Sequence, residues 1–381
     1  MDQIFVNLFK TLIGWLDFLP AWAVVLVQSF LIIAIFCALG PLIMMYLTLF
    51  ERKMVGRMQN RIGPNRVGWL GLLQPVADGI KMLTKEDIVP RRADRLLHLL
   101  APIMIIVPAL LLFAVIPFGR NMLAVDLNIG ILFFLAVSST SILAIFTASW
   151  ASRNKYSLLG GMRSAAQMVS YEVPMVLAVI PVIMATQSLS TQAIVDAQNG
   201  WHGLRWFLWT PWGFFSFIIF FLCSVAETNR SPFDLPEAES EIVAGFHTEY
   251  SGMKFALFYM AEFMNVFTIC ALAVTLFLGG WQGPWLPSYV WFFAKTLLLI
   301  FIMTWFRGTL PRFRVDQLMG FAWKFLLPMT LINIFITGYW FYAKSWEAVF
   351  FCWILAALSY VILSRLNRRL SFEKRTYRYG N

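Results

Sequence analysis

Three charged side chains, Glu172, Glu262 and Lys295, stand inside stretches otherwise built from apolar residues. A charge in a lipid-embedded segment costs several kcal/mol, so its presence there marks a functional site by default. A carboxyl without a partner in low dielectric keeps its proton, which suits it to proton transfer near neutral pH. The alternative is a static ion pair that holds helices together. Read from the run lengths, both Glu172 and Glu262 are expected roughly 12 Å below one surface and Lys295 roughly 18 Å below it. At such depths the three are expected to form a cluster that shares protons. Pro174 and Pro181 follow Glu172 closely, and Pro108 and Pro328 mark two further runs. Proline frees a backbone carbonyl, so a broken and hydrated helix around Glu172 is one expectation and a plain packing kink the other.

A further group of acids lies in a polar loop. Residues 227–253 carry Glu227, Asp234, Glu237, Glu239, Glu241 and Glu249 against the single Arg230. Glu227 closes an apolar run and is placed to link this loop to the two embedded carboxyls.

The elements that position these residues follow from hydropathy. Hydrophobic residues make up 60% of the 381-residue chain and charged residues 13%, against about 25% charged in soluble domains. Nine apolar runs, near residues 22–49, 97–119, 129–150, 164–186, 210–227, 254–279, 289–308, 325–343 and 347–364, are candidate spans. Backbone groups in lipid must be satisfied internally, so the spans are expected to be helices and the fold all-α and polytopic. Residues 51–95 hold ten Lys and Arg, the segment 307–324 four and the tail after Ser364 six, whereas the segments 119–129, 187–209 and 280–288 hold one, one and none. The basic loops are therefore expected inside, with the N-terminus outside and, after nine spans, the C-terminus inside. This loop bias accounts for the net charge of +10 without nucleic acid. Trp69, Leu70, Leu73, Val76, Ala77, Ile80 and Leu83 recur at helical spacing opposite Asp78, Lys81 and Lys85, the pattern of an amphipathic helix at the membrane interface or of a helix packed on a soluble partner.

Cys37, Cys223, Cys270 and Cys352 each stand alone, and His98, His202 and His247 are scattered. Neither set has the spacing of a zinc, haem or iron–sulfur site. The first 20 residues lack a basic segment followed by a short apolar core, so a cleavable signal is not expected. Neither an internal repeat nor a soluble domain is expected.

Several polar motifs carry a resemblance. ERKMVGRMQNRIGPNRVG at 51–68, LLQPVADGIKMLTKED from Leu72, SYEVP from Ser170, AETNRSPFDLPEAESEIVAGFHTEYSG from Ala226, FYMAEFMN from Phe258 and PRFRVDQLM from Pro311 resemble, in order, the H-type membrane subunit of bacterial respiratory complex I. The resemblance covers residues from about 20 to 345. It implies eight family-like transmembrane helices in residues 1–345, with 346–381 a ninth helix and basic inner tail outside the family pattern. It implies a subunit that walls the quinone tunnel of a proton-translocating NADH:quinone oxidoreductase, with quinone as substrate. This chain would bind no cofactor, FMN and iron–sulfur clusters residing in partner subunits. The partners implied are the peripheral-arm quinone-site subunits, small membrane-arm subunits and lipid, in a bacterial inner membrane, with a mitochondrial inner membrane as the alternative. Arg52, Arg61, Asp78, Arg230, Phe233 and Asp234 would line the quinone chamber. Glu172, Glu227, Glu237, Glu239, Glu241, Glu262 and Lys295 would form the proton path. The rival readings are the related anchor of an energy-converting hydrogenase, a free-standing transporter and a lipid-modifying enzyme. The fit of both long inner loops argues against the first, and the absence of inverted repeats against the second.

Overall fold

The computed structural model describes residues 20–200, 203–235, 242–343 and 346–370, with positions 7, 11 and 14. Among these residues the chain is helical, without strands. Nine long or apolar helices correspond to the nine expected runs: α1 (Ala21–Met58), α3 (Arg95–Leu112), α4 (Gly130–Ala151), α5 (Lys155–Thr186), α7 (Pro211–Glu227), α8 (Gly252–Phe277), α9 (Ser288–Thr309), the compound helix of α10 (Val315–Phe321), a π-turn (Ala322–Leu326) and α11 (Leu327–Ala343), and α12 (Trp346–Leu370). Seven of them are long and apolar enough to cross a membrane, and two more are shorter apolar helices. The short helices α2 (Gln74–Thr84) and α6 (Thr191–Ala197) lie in the connections.

Helix α8 is the hub. It packs on α1, α3, α7 and α9, and its residues from Phe263 to Phe277 are nearly all buried. The α3–α4 and α4–α5 pairs form one flank, while α5, α7 and α11 form the other. Helix α12 lies on α11 and α7, where Cys352 and Ala356 are buried against Ile336.

Hydrogen bonds tie the loops into two opposite ends. At the end carrying the basic loops, Asp94 N donates to Ala151 O, Asn154 Nδ2 to Glu249 Oε1 at 2.6 Å, and Phe313 N to Pro232 O. At the far end, Ile131 N donates to Leu189 O and Gln282 Nε2 to Val195 O at 2.6 Å.

Two helices differ from expectation. Helix α1 continues to Met58, well past the apolar run, because backbone pairing need not stop where lipid does. Helix α5 begins at Lys155, capped by the Asn154 side chain, and runs unbroken through Pro174 and Pro181. The prolines are therefore accommodated inside a continuous helix, as neighbouring helices permit. Trp69, Leu70 and Leu73 just before α2 and Val76, Ile80 and Leu83 along it are exposed on this chain, which agrees with the amphipathic pattern.

Candidate functional site

The site is built around Arg230, just past the end of α7. Gln167 on α5 fixes this turn: its Nε2 donates to Ala226 O at 2.7 Å and to Phe233 O at 2.8 Å. Arg230 is 7% exposed. Its guanidinium donates from Nη1 to both carboxylate oxygens of Glu51, each at 2.9 Å. Its Nη2 lies 3.1 Å from Oε1 of Glu262, and the group stacks 4.3 Å above the Phe263 ring. Glu51 also pairs with Arg307. Two carboxylates from α1 and α8 thus meet two guanidiniums from the α7 loop and α9. Such a balanced cluster is tolerable inside a bundle, whereas any one of its members alone would not be.

Beside it is a cavity of about 30 Å³, lined by Glu262, Glu227, Asn229, His247, Tyr259 and Asn265 among others. A second, of about 20 Å³, shares Glu227, Thr228 and Asn265 with the first and extends to Thr268. A third of similar size touches Glu51, Arg230 and Arg307. At about 10–15 Å³ per water, each has room for one or two molecules with polar partners. Glu227 Oε2 is buried without a hydrogen-bond partner among the described residues, and Glu172 lies within its electrostatic reach. Glu51, Arg230 and Glu262 are therefore joined in one ion-paired cluster, and a space that admits water connects Glu262 with Glu227, with Glu172 in electrostatic reach of Glu227.

His247 reaches this cavity because α5 lets its segment approach closely. A Cβ on Gly160 would meet the Gly245 Cα at 2.7 Å, and Ser157 Oγ donates to Phe246 O at 3.0 Å. The imidazole is held edge-on to Phe246 and Phe255. Burial pushes its pKa down to about 4, so it is neutral near pH 7.

The other expected residues fall as follows. Arg52 pairs with Asp78 at 2.6 Å, at the rim between α1 and α2. Arg61 donates to Gln59 at 2.7 Å on an exposed loop. Asp234 pairs with Arg312 at 2.8 Å. Phe233 is 3% exposed, packed between Tyr171 and Phe313. Glu237, Glu239 and Glu241 lie outside the described residues, as does His202.

Lys295 does not join the acids. Its ammonium donates to the carbonyls of Leu278 and Gln282, each at 2.6 Å, and of Gly280 at 3.1 Å, all at the far end. The side chain of a helix residue leans towards the helix N-terminus, and α9 begins at the far end, so Lys295 reaches away from Glu262. Glu262 takes Arg230 as its partner instead. Glu51, Arg307 and His247 were not singled out as site residues by the sequence. Glu51 had one signal, as the first charge after a long apolar run.

The fold and site define a polytopic helical membrane protein with an internal acid–base cluster. Comparison with known proteins gives the family. Residues 30–338 match the family model described as NADH dehydrogenase. The chain is 56% identical over 289 residues to the H-type subunit of NADH-quinone oxidoreductase from Dehalococcoides mccartyi (strain CBDB1), covering 76% of this chain and 80% of the relative. It is 49% identical over 341 residues to the second of the H-type subunits from Geobacter metallireducens, covering 84% and 96%. It is 51% identical over 316 residues to the first of those from Geobacter sulfurreducens, covering 77% and 89%. The chain belongs to the family of H-type subunits of NADH-quinone oxidoreductase, a membrane component of respiratory complex I. It is accordingly one subunit of an oxidoreductase and not a complete enzyme.

Proposed function

We propose that this chain walls the quinone chamber and links quinone reduction to proton translocation through its buried acids. The observation that carries this reading is the continuity just described. The Glu51–Arg230–Glu262–Arg307 cluster borders a cavity that reaches Glu227, and Glu172 lies in electrostatic reach of Glu227. Quinone reduction takes up two electrons and two protons. Its electrons come from FMN and iron–sulfur clusters in partner subunits, and its head group sits near Arg52, Arg61, Asp78 and Asp234. The charge change at the head group biases the Glu51–Arg230–Glu262 cluster, which passes the bias through water to Glu227 and Glu172, with Glu237, Glu239 and Glu241 on the loop side. The exposed apolar face of α2 meets lipid or a peripheral-arm subunit beside the access path. The chain lies in a bacterial inner membrane with its basic loops inside and its N-terminus outside.

Glu→Gln at 172 and at 227 tests this. Each change keeps shape and hydrogen bonding and removes the exchangeable charge. Coupled quinone reduction is expected to fall severely in membranes where the complex still assembles and oxidises NADH with an artificial acceptor. Wild-type turnover and pumping in both variants would show that the acids are structural.

A further inference from the structure

We infer that the basic-loop end of α12 is a docking site for anionic phospholipid headgroups, built from Arg365, Arg368 and Arg369 with Lys324 at the same level. The site is independent of the proposed proton path. Helix α12 lies beyond the residues 30–338 that match the family, so it is an addition of this chain to the family pattern.

The depth of the site follows from how α12 lies on its neighbour. The Tyr339 and Phe351 rings meet at 5.5 Å, and so do the Phe325 and Tyr360 rings. The two helices are therefore antiparallel, and Arg365 lies at the basic-loop end, where the rod of α10 and α11 begins. Seventeen uncharged residues separate Glu347 from Arg365. The rise between these two is ~27 Å, close to the ~30 Å of hydrocarbon in a bilayer. Arg365 thus stands where hydrocarbon gives way to headgroups. Trp323 and Tyr360 are exposed near this level, as aromatic residues are at a membrane interface.

Helical register sets the side of α12 on which the arginines stand. Cys352, Ala356 and Ser359 are buried against the bundle, and Leu363 packs on it. Positions 366 and 370, seven on from Ser359 and Leu363, continue that side. Phe350, Ile354, Leu358 and Val361 are exposed on the opposite side. Position 365 is seven on from Leu358, 368 is seven on from Val361, and 369 is four on from 365, so all three continue the outer stripe. The positive-inside bias asks only that basic residues lie at this end; it does not gather them on one side. Lys324 is exposed on the π-turn, one residue before Phe325. Among the described residues neither Lys324 nor Arg365 forms a salt bridge, and α12 carries no acid after Glu347. The counter-charge therefore comes from outside the chain. A soluble acidic partner would be met past the helix end, whereas a row that continues the outer apolar stripe meets lipid. Guanidinium groups pair with phosphate oxygens through two parallel hydrogen bonds. A zwitterionic lipid brings its own ammonium to its phosphate and an anionic lipid does not, so the site selects the anionic class.

The test is photocapture from the bilayer. Val361, exposed on the outer stripe, is replaced by the photoreactive p-benzoylphenylalanine in the assembled complex. The complex is placed in vesicles of phosphatidylethanolamine with a minority of phosphatidylglycerol, and the captured species are identified by mass spectrometry. Phosphatidylglycerol is expected to exceed its bulk share about fivefold, the factor for one unit-charge pair at ~4 Å in water. The excess is expected to shrink towards the bulk share at ~1 M salt, where the Debye length is ~3 Å. It is also expected to vanish when Arg365→Gln, Arg368→Gln and Arg369→Gln are combined. Capture at the bulk ratio, an excess that persists in salt, or an excess retained by the triple variant overturns the proposal. Capture of another protein subunit in place of lipid overturns it as well, and shows that the outer stripe is a subunit contact. If the triple variant does not assemble, the salt response of the complex with all three arginines decides alone.

Discussion

Arg230→Met tests the buried cluster most sharply. The guanidinium holds Glu51 through two bonds of 2.9 Å and Glu262 at 3.1 Å. Removing it leaves Glu51 with Arg307 and leaves Glu262 with no ion-paired cation among the described residues. At 3.1 Å and an effective dielectric of ~20, the Glu262 interaction alone is worth ~5 kcal/mol before desolvation. Breaking a buried pair by deleting one partner costs ~3–5 kcal/mol. Glu262→Gln is milder, because Arg230 keeps both oxygens of Glu51 and no buried carboxylate is stranded; the loss is one ion-pair contact, below the ~3–5 kcal/mol of leaving a buried charge unpaired. The double variant is the deciding one. It removes the stranded carboxylate along with the guanidinium, so it is expected to be more stable than Arg230→Met alone by ~1–3 kcal/mol. Equilibrium unfolding of the subunit in bicelles gives the three differences and their coupling. If the double variant is no more stable than Arg230→Met, and the two single costs add to within ~0.5 kcal/mol, Arg230 is not the counter-charge of Glu262 and the cluster is misassigned.

Two further expectations concern regions away from the cluster. Deleting the chain after Lys344 removes α12, which lies beyond the matched residues 30–338. Quinone reductase activity is expected to stay near wild type, with a small drop in the melting midpoint as the cover over Ile336 is lost; loss of activity in an assembled complex would place α12 in the working core. His247 predicts acid sensitivity. Its folded pKa of about 4 lies below the ~6.5 of an unfolded histidine, so the unfolded chain binds more protons between those values. Stability is fully present above pH ~6.5 and is lost as pH falls towards 4, by ~1–3 kcal/mol. Melting midpoints at pH ~7.5 and ~5 are expected to differ less in His247→Asn than in wild type, and an equal difference would show that His247 does not set this dependence.

The helices were legible because lipid imposes one rule on every span: apolar side chains outside and paired backbone within. Hence the nine runs and the amphipathic Gln74–Thr84 helix could be read from composition and spacing alone. The partners of buried charges were not legible, because they depend on which helices become neighbours. Glu51 and Arg230 are 179 residues apart and no local pattern links them. Lys295 was matched to the acids by counting residues from one helix end, which ignores the direction in which the side chain leans. Glu172 and Glu262 stand within apolar helices and Glu227 at the end of one, places legible in the sequence because a lone carboxyl in an apolar run is conspicuous whatever its partner. The π-turn had no signal, since nothing in the residue types of Ala322–Leu326 distinguishes a five-residue turn from an ordinary helical one.

That turn has a geometric consequence. Leu318, Ala322, Leu326 and Thr330 are all buried, at 1%, 0%, 0% and 1% exposure. They recur every four residues, but an α-helix repeats after about 3.6, so each step would drift by about 40° and three steps by about 120°. A face with that spacing would wind off the bundle before reaching Asn333, whose amide donates to Trp212 O and Ser216 Oγ. A turn closed five residues back is wider by about one residue and rotates the helix the other way. The π-turn thus works as a phase corrector, letting one rod keep contact with Tyr171 at one end and with α7 at the other. In a chain one residue shorter at this turn, the two halves of the rod would face different neighbours.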